Sequence, residues 1–233
     1  MYPLAILAGG MATRLYPITA ETPKSMLIIN GMPFIHWQLD LIAKAGFRKV
    51  VLCLGVKGSL IKDFVGDGSA YDLEIQYSFD GDMPLGTAGA IVKALPQLGQ
   101  NFGVIYGDSY LPINYKKIED EFSKQEKIAL MTIYANQNAL DRSNVEYSDN
   151  KLIRYSKTNP TLEMHYIDFG YIVLNSRAFS NVAQGSYADI GDIFEQLSIN
   201  GELFAYEVSD RFYEIGSFGG IKDFTQYLEG EMR

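Results

Sequence analysis

The stretch LAGGMATRLYPITAETPKSM, residues 7–26, decides the fold. It continues a short apolar run, residues 4–8, whose composition predicts a strand buried on both faces. The run breaks at Gly9 and Gly10, where the missing Cβ lets backbone N–H groups surround an anion. In an open α/β sheet, ligands bind in the loops that follow the parallel strands. This loop is therefore compatible with cradling a triphosphate, with Arg14 as a charged fork for phosphate oxygens, and equally with a strand-to-helix turn that carries a surface arginine.

Short apolar runs alternate with helical patterns through the rest of the first half. Helical spacing begins at Phe34 and ends at Gly46, a typical C-cap, and a later helix runs from residue 86 until Pro96 stops it. This order favours a mostly parallel sheet covered by helices, with right-handed crossovers. The other elements predicted in this half are strands at 49–55, 73–79 and 102–108 and a short helix at 59–66.

The second half contains more strands and fewer helices between them. The segment YSDNKL at residues 147–152 predicts a hairpin turn, and a last helix begins at Ser217. We expect antiparallel strands appended to the parallel core, within a single domain spanning residues 1–233. The strands predicted here lie within residues 127–135, 144–157, 165–175 and 202–208.

The composition excludes several classes of function. Lys and Arg total 20 against 28 Asp and Glu, a net charge of −8, which argues against nucleic acid or an anionic membrane as the partner. The one cysteine, Cys53, lies in an apolar run and is predicted to be a buried hydrophobic residue rather than a nucleophile. The sequence has neither a basic segment before a long apolar run nor an apolar run long enough for a membrane span. We therefore expect a cytoplasmic protein.

The glycine loop lacks the G-x-x-x-x-G-K-[ST] pattern of a Walker loop and the G-x-G-x-x-G spacing of a dinucleotide fold. Its wider context, from GGMATRL to ETPKSMLIINGMPFI at residues 9–35, resembles the N-terminal signature of the sugar-1-phosphate nucleotidyltransferases. Three further motifs resemble that family and follow in its order. They are PLGTAGAI at 84–91, VIYGDSY at 104–110 and YEIGSFGGI at 213–221.

The resemblance implies a Rossmann-like, mostly parallel mixed sheet, with residues 1–110 binding the nucleotide and residues 111–233 the sugar phosphate. The implied reaction is attack of a sugar 1-phosphate oxygen on the α-phosphorus of a nucleoside triphosphate, which releases pyrophosphate and uses Mg²⁺ as cofactor. Within the family the chain looks closest to heptose- and mannose-1-phosphate guanylyltransferases, which favours GTP as the donor, while muramate-type uridylyltransferases and choline-phosphate-type cytidylyltransferases remain nearby alternatives. The implied partners are these small molecules, without nucleic acid or membrane, and the implied state is a monomer or homodimer.

The resemblance also assigns roles to individual residues. Arg14 would hold the β- and γ-phosphates, and Lys24 would meet the α-phosphate and the incoming sugar phosphate. Asp108 would bind Mg²⁺ together with Glu214. Backbone contacts to the nucleotide are implied for Gly9, Gly10, Gly86, Thr87 and Gly89, and acceptor contacts for Lys157, His165, Asp168 and Gly170.

Three positions depart from the family pattern. Ala12 replaces a third glycine in the first loop, which implies a negative φ there. Ser156 stands before Lys157 where an acid is usual, which bears on recognition of sugar hydroxyls. Glu214 replaces an aspartate in the last motif.

Other interpretations remain open at this stage. Asp108 is also compatible with capping the turn after its strand, Lys24 with a solvated loop position, and Glu214 with a surface ion pair to Arg211. At the level of function, the alternatives are a metal-dependent glycosyltransferase and a non-catalytic nucleotide-sensing relative. The first would need an Asp-x-Asp motif, and GDSY supplies one acid. The second would tend to lack Arg14, Lys24 or Asp108.

Overall fold

A computed structural model describes residues 1–10, 15, 21–138 and 141–231. The strands in this part of the chain are β1 (Leu4–Leu7), β2 (Ile28–Ile29), β3 (Met32–Pro33), β4 (Lys49–Leu54), β5 (Glu74–Phe79), β6 (Asn101–Tyr106), β7 (Ser109–Tyr110), β8 (Ala129–Ala135), β9 (Val145–Ser148), β10 (Lys151–Tyr155), β11 (Tyr166–Asn175), β12 (Leu203–Val208) and β13 (Tyr213–Glu214). The α-helices are α1 (Phe34–Lys44), α2 (Gly58–Val65), α3 (Gly86–Leu98), α4 (Tyr115–Lys124), α5 (Ile190–Ile199) and α6 (Phe218–Glu231). None of these helices is long and apolar enough to cross a membrane.

The centre of the molecule is a mixed sheet with the strand order β10-β9-β11-β6-β1-β4-β5. Strands β6, β1, β4 and β5 are parallel neighbours. Strand β11 is antiparallel to β6 and also pairs with β8 and β9. The predicted parallel core with antiparallel strands from the second half is therefore confirmed.

Helices cover both faces of the sheet because successive strand residues point to opposite sides. Leu4 and Ile6 of β1 pack into one apolar cluster with α1, α2 and α4, whereas Ala5 packs into another with α3 and α5. A third cluster places α6 against the start of α1 through Phe34 and Phe224. The sheet is thus buried on both faces, as the nearly continuous apolar strands predicted.

Two details differ from the sequence prediction. Pro96 does not stop α3, which continues to Leu98. It lies in the last turn, where the missing N–H removes one intrahelical bond, and the helix ends at Gly99, whose φ is +80° and whose N–H donates to the Leu95 carbonyl at 2.9 Å. The expectation of antiparallel strands also fails for β12, which runs parallel to β8. Strand β8 is antiparallel to β11 and parallel to β12, so β12 runs opposite to β11, which precedes it in the chain with α5 between the two.

Several local predictions are confirmed. Gly46 follows α1 with φ +96° and donates to the Ala43 carbonyl at 3.0 Å, as expected of a C-cap. Asp149 and Asn150 link β9 to β10 with φ values of +50° and +59°, the left-handed pair of a two-residue hairpin.

The parallel strands position the site. Because β1, β4 and β6 run in the same direction, their carboxyl ends meet at one edge of the sheet. The loops that follow these three strands contain Gly9 and Gly10 after β1, Gly55 after β4 and Gly107 after β6.

Candidate active site

A cavity of about 570 Å³ opens at this edge of the sheet. Its walls come from the loops after β1 and β6, from the segment containing Lys24, and from the first turn of α3. Six of the residues predicted to bind the nucleotide or the metal line it: Gly9, Gly10, Lys24, Gly86, Thr87 and Asp108. The structure therefore brings together residues that are far apart in the sequence.

The polar centre of the cavity is an ion pair between Lys24 and Asp108. The Lys24 Nζ lies 2.8 Å from the Asp108 Oδ2, and the two side chains are 19% and 32% exposed. Next to it, the buried Ser25 hydroxyl donates to the Gly107 carbonyl at 2.9 Å. A short 3-10 helix, Lys24–Met26, is thereby fastened to the loop after β6. Lys24 is therefore not a solvated loop lysine.

A buried glutamine supports the loop that carries Asp108. Gln38 of α1 is 1% exposed, and its Nε2 donates to the carbonyls of Tyr106 at 2.9 Å and Ser109 at 2.6 Å. These bonds hold both ends of the turn at Gly107 and Asp108. Sequence reasoning missed this residue, because a polar position within an apolar helix carries no sign of its distant partners.

Glu214 approaches the same ion pair from the other side. Strand β13 pairs with β7 so that Glu214 lies opposite Ser109, and Ile215 N–H donates to the Asp108 carbonyl at 2.9 Å. The Glu214 carboxylate accepts from Gly216 N–H and from the Ser217 hydroxyl, the latter at 3.0 Å. A Cβ on Gly216 would touch this carboxylate and would lie 3.4 Å from the Lys24 Nζ. Lys24 therefore lies between Asp108 and the loop that contains Glu214.

The alternative that Glu214 forms a surface ion pair with Arg211 is wrong, because Arg211 pairs with Asp223 of α6 instead. Within residues 1–10, 15, 21–138 and 141–231, no group of three or more His, Cys, Asp or Glu is arranged to hold a metal ion. Mg²⁺ needs fewer protein ligands, since it usually binds one or two carboxylates and completes its shell with phosphate oxygens and water. Asp108 lines the cavity and fits that donor set, whereas the Glu214 carboxylate is turned towards Gly216 and Ser217 and is not in the lining, so its metal role stays a prediction.

The first turn of α3 contacts the chain just before α5. Ala88 N–H donates to the Ala188 carbonyl at 2.9 Å, and Gly89 N–H reaches the same oxygen at 3.4 Å. Gly86 has φ +70°, and a Cβ there would lie 2.5 Å from that carbonyl oxygen. These glycines therefore permit close packing against residues 186–188, and two of the helix's first N–H groups are already occupied. Gly89 does not line the cavity.

Two further groups line the end of the cavity nearest α3. Asp80, at the carboxyl end of β5, accepts through Oδ2 from Leu85 N–H at 3.2 Å, and burial raises its carboxyl pKa above the usual value. Cys53 is 1% exposed, and burial raises its thiol pKa to about 12. The predicted burial of Cys53 is confirmed, and a neutral thiol is a poor nucleophile. Sequence reasoning missed Asp80, although an acid directly after a parallel strand is a usable signal.

The residues assigned to the acceptor are not in the lining of the cavity. Asp168 and Gly170 form an irregularity in β11, where Gly170 has φ +106° and donates its N–H to the Asp168 Oδ1 at 2.9 Å. Burial raises the Asp168 pKa to about 6, against the opposing effects of this N–H and of Lys157. The Tyr106 phenol, which lines the cavity, has its pKa raised by burial and then by the charges of Asp168, Asp189 and Asp108. Tyr106 thus lies between the metal side and the acceptor side.

The other residues singled out in the sequence are Lys157, Ser156, His165, Arg14 and Ala12. The Lys157 Nζ lies 3.9 Å from Asp189 Oδ2. Ser156 is fully buried and its hydroxyl accepts from Asn159 N–H at 3.0 Å, so it stabilises the turn instead of facing a ligand. His165 is exposed, and its carbonyl accepts from the N–H groups of residues 136 and 137. Arg14 and Ala12 lie outside the described residues.

Comparison with known proteins agrees with this geometry. A family model described as "Nucleotidyl transferase" matches residues 4–229. The heptose 1-phosphate guanylyltransferase of Campylobacter jejuni is 30% identical over 202 residues, which cover 87% of this chain and 81% of that enzyme. The N-acetylmuramate α-1-phosphate uridylyltransferase of Neisseria meningitidis is 43% identical over 111 residues, 47% of this chain. That second match spans 48% of the relative's own length.

Solved structures share the fold. A putative glucose-1-phosphate thymidylyltransferase from Bacillus anthracis superimposes with a TM-score of 0.86 at 21% identity, covering 97% of this chain and 95% of that one. HddC from Yersinia pseudotuberculosis, in complex with GMP-PN, gives 0.81 at 22% identity over 98% of this chain and all of its own.

Proposed function

The chain belongs to the nucleotidyl transferase family, and we propose that it transfers a nucleoside monophosphate from a nucleoside triphosphate to a sugar 1-phosphate, with Mg²⁺ as cofactor. The products are a nucleotide sugar and pyrophosphate. We further propose GTP as the donor, a heptose or mannose 1-phosphate as the acceptor, and one catalytic domain over residues 1–233. Residues 1–110 would then bind the nucleotide and residues 111–233 the acceptor.

The observation that carries this proposal is the Lys24–Asp108 pair in a cavity whose lining includes Gly9 and Gly10. The reaction must bring two phosphate anions into contact. Lys24 lies 2.8 Å from the carboxylate of Asp108, which would bind Mg²⁺, so the ammonium group and the metal would be available to the same phosphate group. Gly9 and Gly10 beside them let the chain approach the phosphates closely.

The nucleophile needs no general base from the protein. A phosphate monoester has a second pKa of about 6 and is mostly dianionic at neutral pH. Lys24 would orient the α-phosphate and the attacking oxygen, and Arg14 would hold the departing pyrophosphate. Asp108 and Glu214 would hold Mg²⁺, which supplies charge neutralisation for the phosphates. The contribution of the protein is thus alignment and charge compensation.

Asp80 supports guanine as the base. Its Oδ2 accepts from Leu85 N–H, and burial raises its pKa. An ionised carboxylate only accepts hydrogen bonds. Guanine presents two adjacent donors, N1–H and the N2 amino group, whereas uracil and thymine present a single N–H between two carbonyl oxygens. A carboxylate in this position therefore favours guanine.

The test is pyrophosphate release from four nucleoside triphosphates, each combined with a panel of sugar 1-phosphates. We expect turnover that requires Mg²⁺ and is highest with GTP. Asp108→Asn should fold normally and lose most of the activity. The matched control is Asp120→Asn, which removes an exposed acid paired with Lys116 on α4.

Full turnover by a folded Asp108→Asn protein would remove Asp108 from the site. Sugar transfer from a nucleotide sugar, without pyrophosphate release, would favour the glycosyltransferase alternative. Nucleotide binding without turnover of any pair would favour a non-catalytic relative.

A further inference from the structure

Lys157, the proposed ligand of the acceptor's phosphate, has little to hold its side chain in place. The side chain is 64% exposed and follows β10 at the start of an irregular segment. A lysine has several rotatable bonds, and fixing them costs conformational entropy when a ligand binds. In the described part of the chain, the ion-pair partner of Lys157 is Asp189, whose Oδ2 lies 3.9 Å from the Lys157 Nζ.

Asp189 itself is held rigidly. It is the N-cap of α5, and its Oδ1 accepts from Gly191 N–H at 2.7 Å. The next residue, Ile190, donates its N–H to the Thr87 hydroxyl at 2.8 Å. The preceding residue, Ala188, donates its N–H to the Leu85 carbonyl and accepts from Ala88 N–H at the start of α3. One oxygen of the carboxylate thus serves as the cap, and the other is directed towards Lys157.

Gly191 completes the arrangement. A Cβ at Gly191 would lie 2.9 Å from Asp189 Oδ1 and 3.5 Å from the Lys157 Cδ. The aliphatic part of the Lys157 side chain therefore passes over Gly191, next to Asp189. Thr87, which bonds this segment, lines the nucleotide cavity, so the segment links the nucleotide side to the acceptor side.

We propose that Asp189 is a positioning residue, which holds Lys157 in the orientation needed to receive the phosphate of the acceptor. This inference rests on the proposed function, because it assigns Lys157 to the acceptor. Asp189 acts through Lys157 and does not itself contact the reacting atoms.

Asp189→Asn separates the two roles of the side chain. Asparagine caps a helix as well as aspartate does, so α5 keeps its N-cap while the charge is lost. We expect the KM for the sugar 1-phosphate to rise about two- to fivefold, the range for an exposed ion pair. The KM for the nucleotide and kcat should stay unchanged. The matched control is Asp192→Asn, which removes an exposed acid from the first turn of the same helix and should change none of these values.

A double-mutant cycle tests whether the effect passes through Lys157. In a Lys157→Met background, Asp189→Asn should have no further effect on the acceptor KM. A remaining effect in that background would overturn the proposal and indicate direct contact with the substrate. A lower acceptor KM in Asp189→Asn would also overturn it, because the acid would then compete with the phosphate. An equal rise in both KM values would indicate a structural role and contradict it as well.

A second measurement does not depend on turnover. The rate of Lys157 acetylation by acetic anhydride, followed by mass spectrometry, should increase about two- to fivefold in Asp189→Asn, as expected for release from an exposed ion pair. It should not change in Asp192→Asn. An unchanged rate in Asp189→Asn would refute the positioning contact even if the enzyme were active. Absence of turnover with every substrate pair, together with the expected acetylation, would instead locate the failure in the proposed function.

Discussion

The Lys24–Asp108 ion pair predicts that the protein without nucleotide binds divalent metal weakly, and that Lys24→Met strengthens this binding. Asp108 is a proposed metal ligand, yet its Oδ2 already accepts from Lys24 at 2.8 Å. A metal ion that takes this oxygen must displace the ammonium group or tolerate it as a close neighbour. The triphosphate would remove the conflict, because it offers Lys24 an anionic partner of its own. Metal is therefore expected to enter with the nucleotide.

The distances give the size of the effect. Mg²⁺ binds a carboxylate oxygen at about 2.1 Å, so it would lie at most about 5 Å from an ammonium group that stayed in place. Repulsion between charges of +2 and +1 at that separation is about 1.7 kcal/mol at the dielectric constant of bulk water and about 7 kcal/mol at an effective value of 20. The pair is partly exposed, so the lower figure is taken as the minimum effect. It corresponds to roughly twentyfold weaker metal binding.

Mn²⁺ is a suitable probe, because its binding to the nucleotide-free protein is measurable by electron paramagnetic resonance. Lys24→Met keeps most of the length of the side chain and removes its charge. We expect it to lower the Kd for Mn²⁺ about twentyfold while reducing turnover. The control is Lys44→Met, which breaks an exposed ion pair with Asp40 on α1 and should leave the Kd unchanged. Equal Mn²⁺ affinity in the wild type and Lys24→Met would refute the reasoning, since the lysine would then not compete for Asp108.

Four other predictions follow from the site. Arg14→Ala should raise the KM for the nucleotide, whereas loss of Lys24 should appear mainly in kcat; equal, KM-only effects would contradict the assignment. Glu214→Gln should raise the Mg²⁺ concentration for half-maximal rate, and Glu214→Asp should stay active; an unchanged Mg²⁺ dependence in Glu214→Gln would remove the residue from the metal site. Asp80→Asn should reduce the preference for GTP in competition assays, and an unchanged preference would leave base recognition to other groups. Burial raises the Asp168 pKa to about 6, so the folded state favours the protonated carboxyl. The protonated carboxyl contributes its full share to the free energy of unfolding below about pH 4, near the pKa of an unfolded aspartate, and this share is lost as the pH rises through 6. Asp168→Asn should therefore gain thermal stability relative to the wild type between pH 4 and 7, and a constant difference would show that the carboxyl is not perturbed.

The parallel core was predictable from the sequence because its physical signals are local. Residues 4–8 and 49–55 are apolar at nearly every position, and such runs are buried on both faces only between two layers of helices. Gly46 and the Asp149–Asn150 turn adopt positive φ angles, which their residue types tolerate better than most. The position of the site at one edge of the sheet followed from the shared direction of β1, β4 and β6. These features needed no knowledge of distant contacts.

The features that sequence reasoning missed depend on long-range contacts. The direction of β12 is set by its pairing with β8, and the apolar residues of β12 give no sign of it. The Gln38 bonds to Tyr106 and Ser109 join residues about 70 positions apart, as the separations of 68 and 71 show. Asp189 carried no motif of its own. Its contact with Lys157 exists because α5 begins beside the end of β10.

The glycines of PLGTAGAI show why a correct motif does not by itself reveal what each residue does. Gly86 and Gly89 were assigned to close approach of a nucleotide, and the same absence of a Cβ admits the carbonyl groups of Ala188 and Ser186. Both contacts need small residues with an open backbone, so the residue type cannot distinguish them. Gly86 lines the cavity and packs against Ala188, whereas Gly89 only packs. Any substitution at Gly89 would therefore shift residues 186–190, and with them Thr87 and Asp189. An effect of Gly89→Ala on nucleotide binding would accordingly act through this segment, and it should be accompanied by a change in the KM for the acceptor.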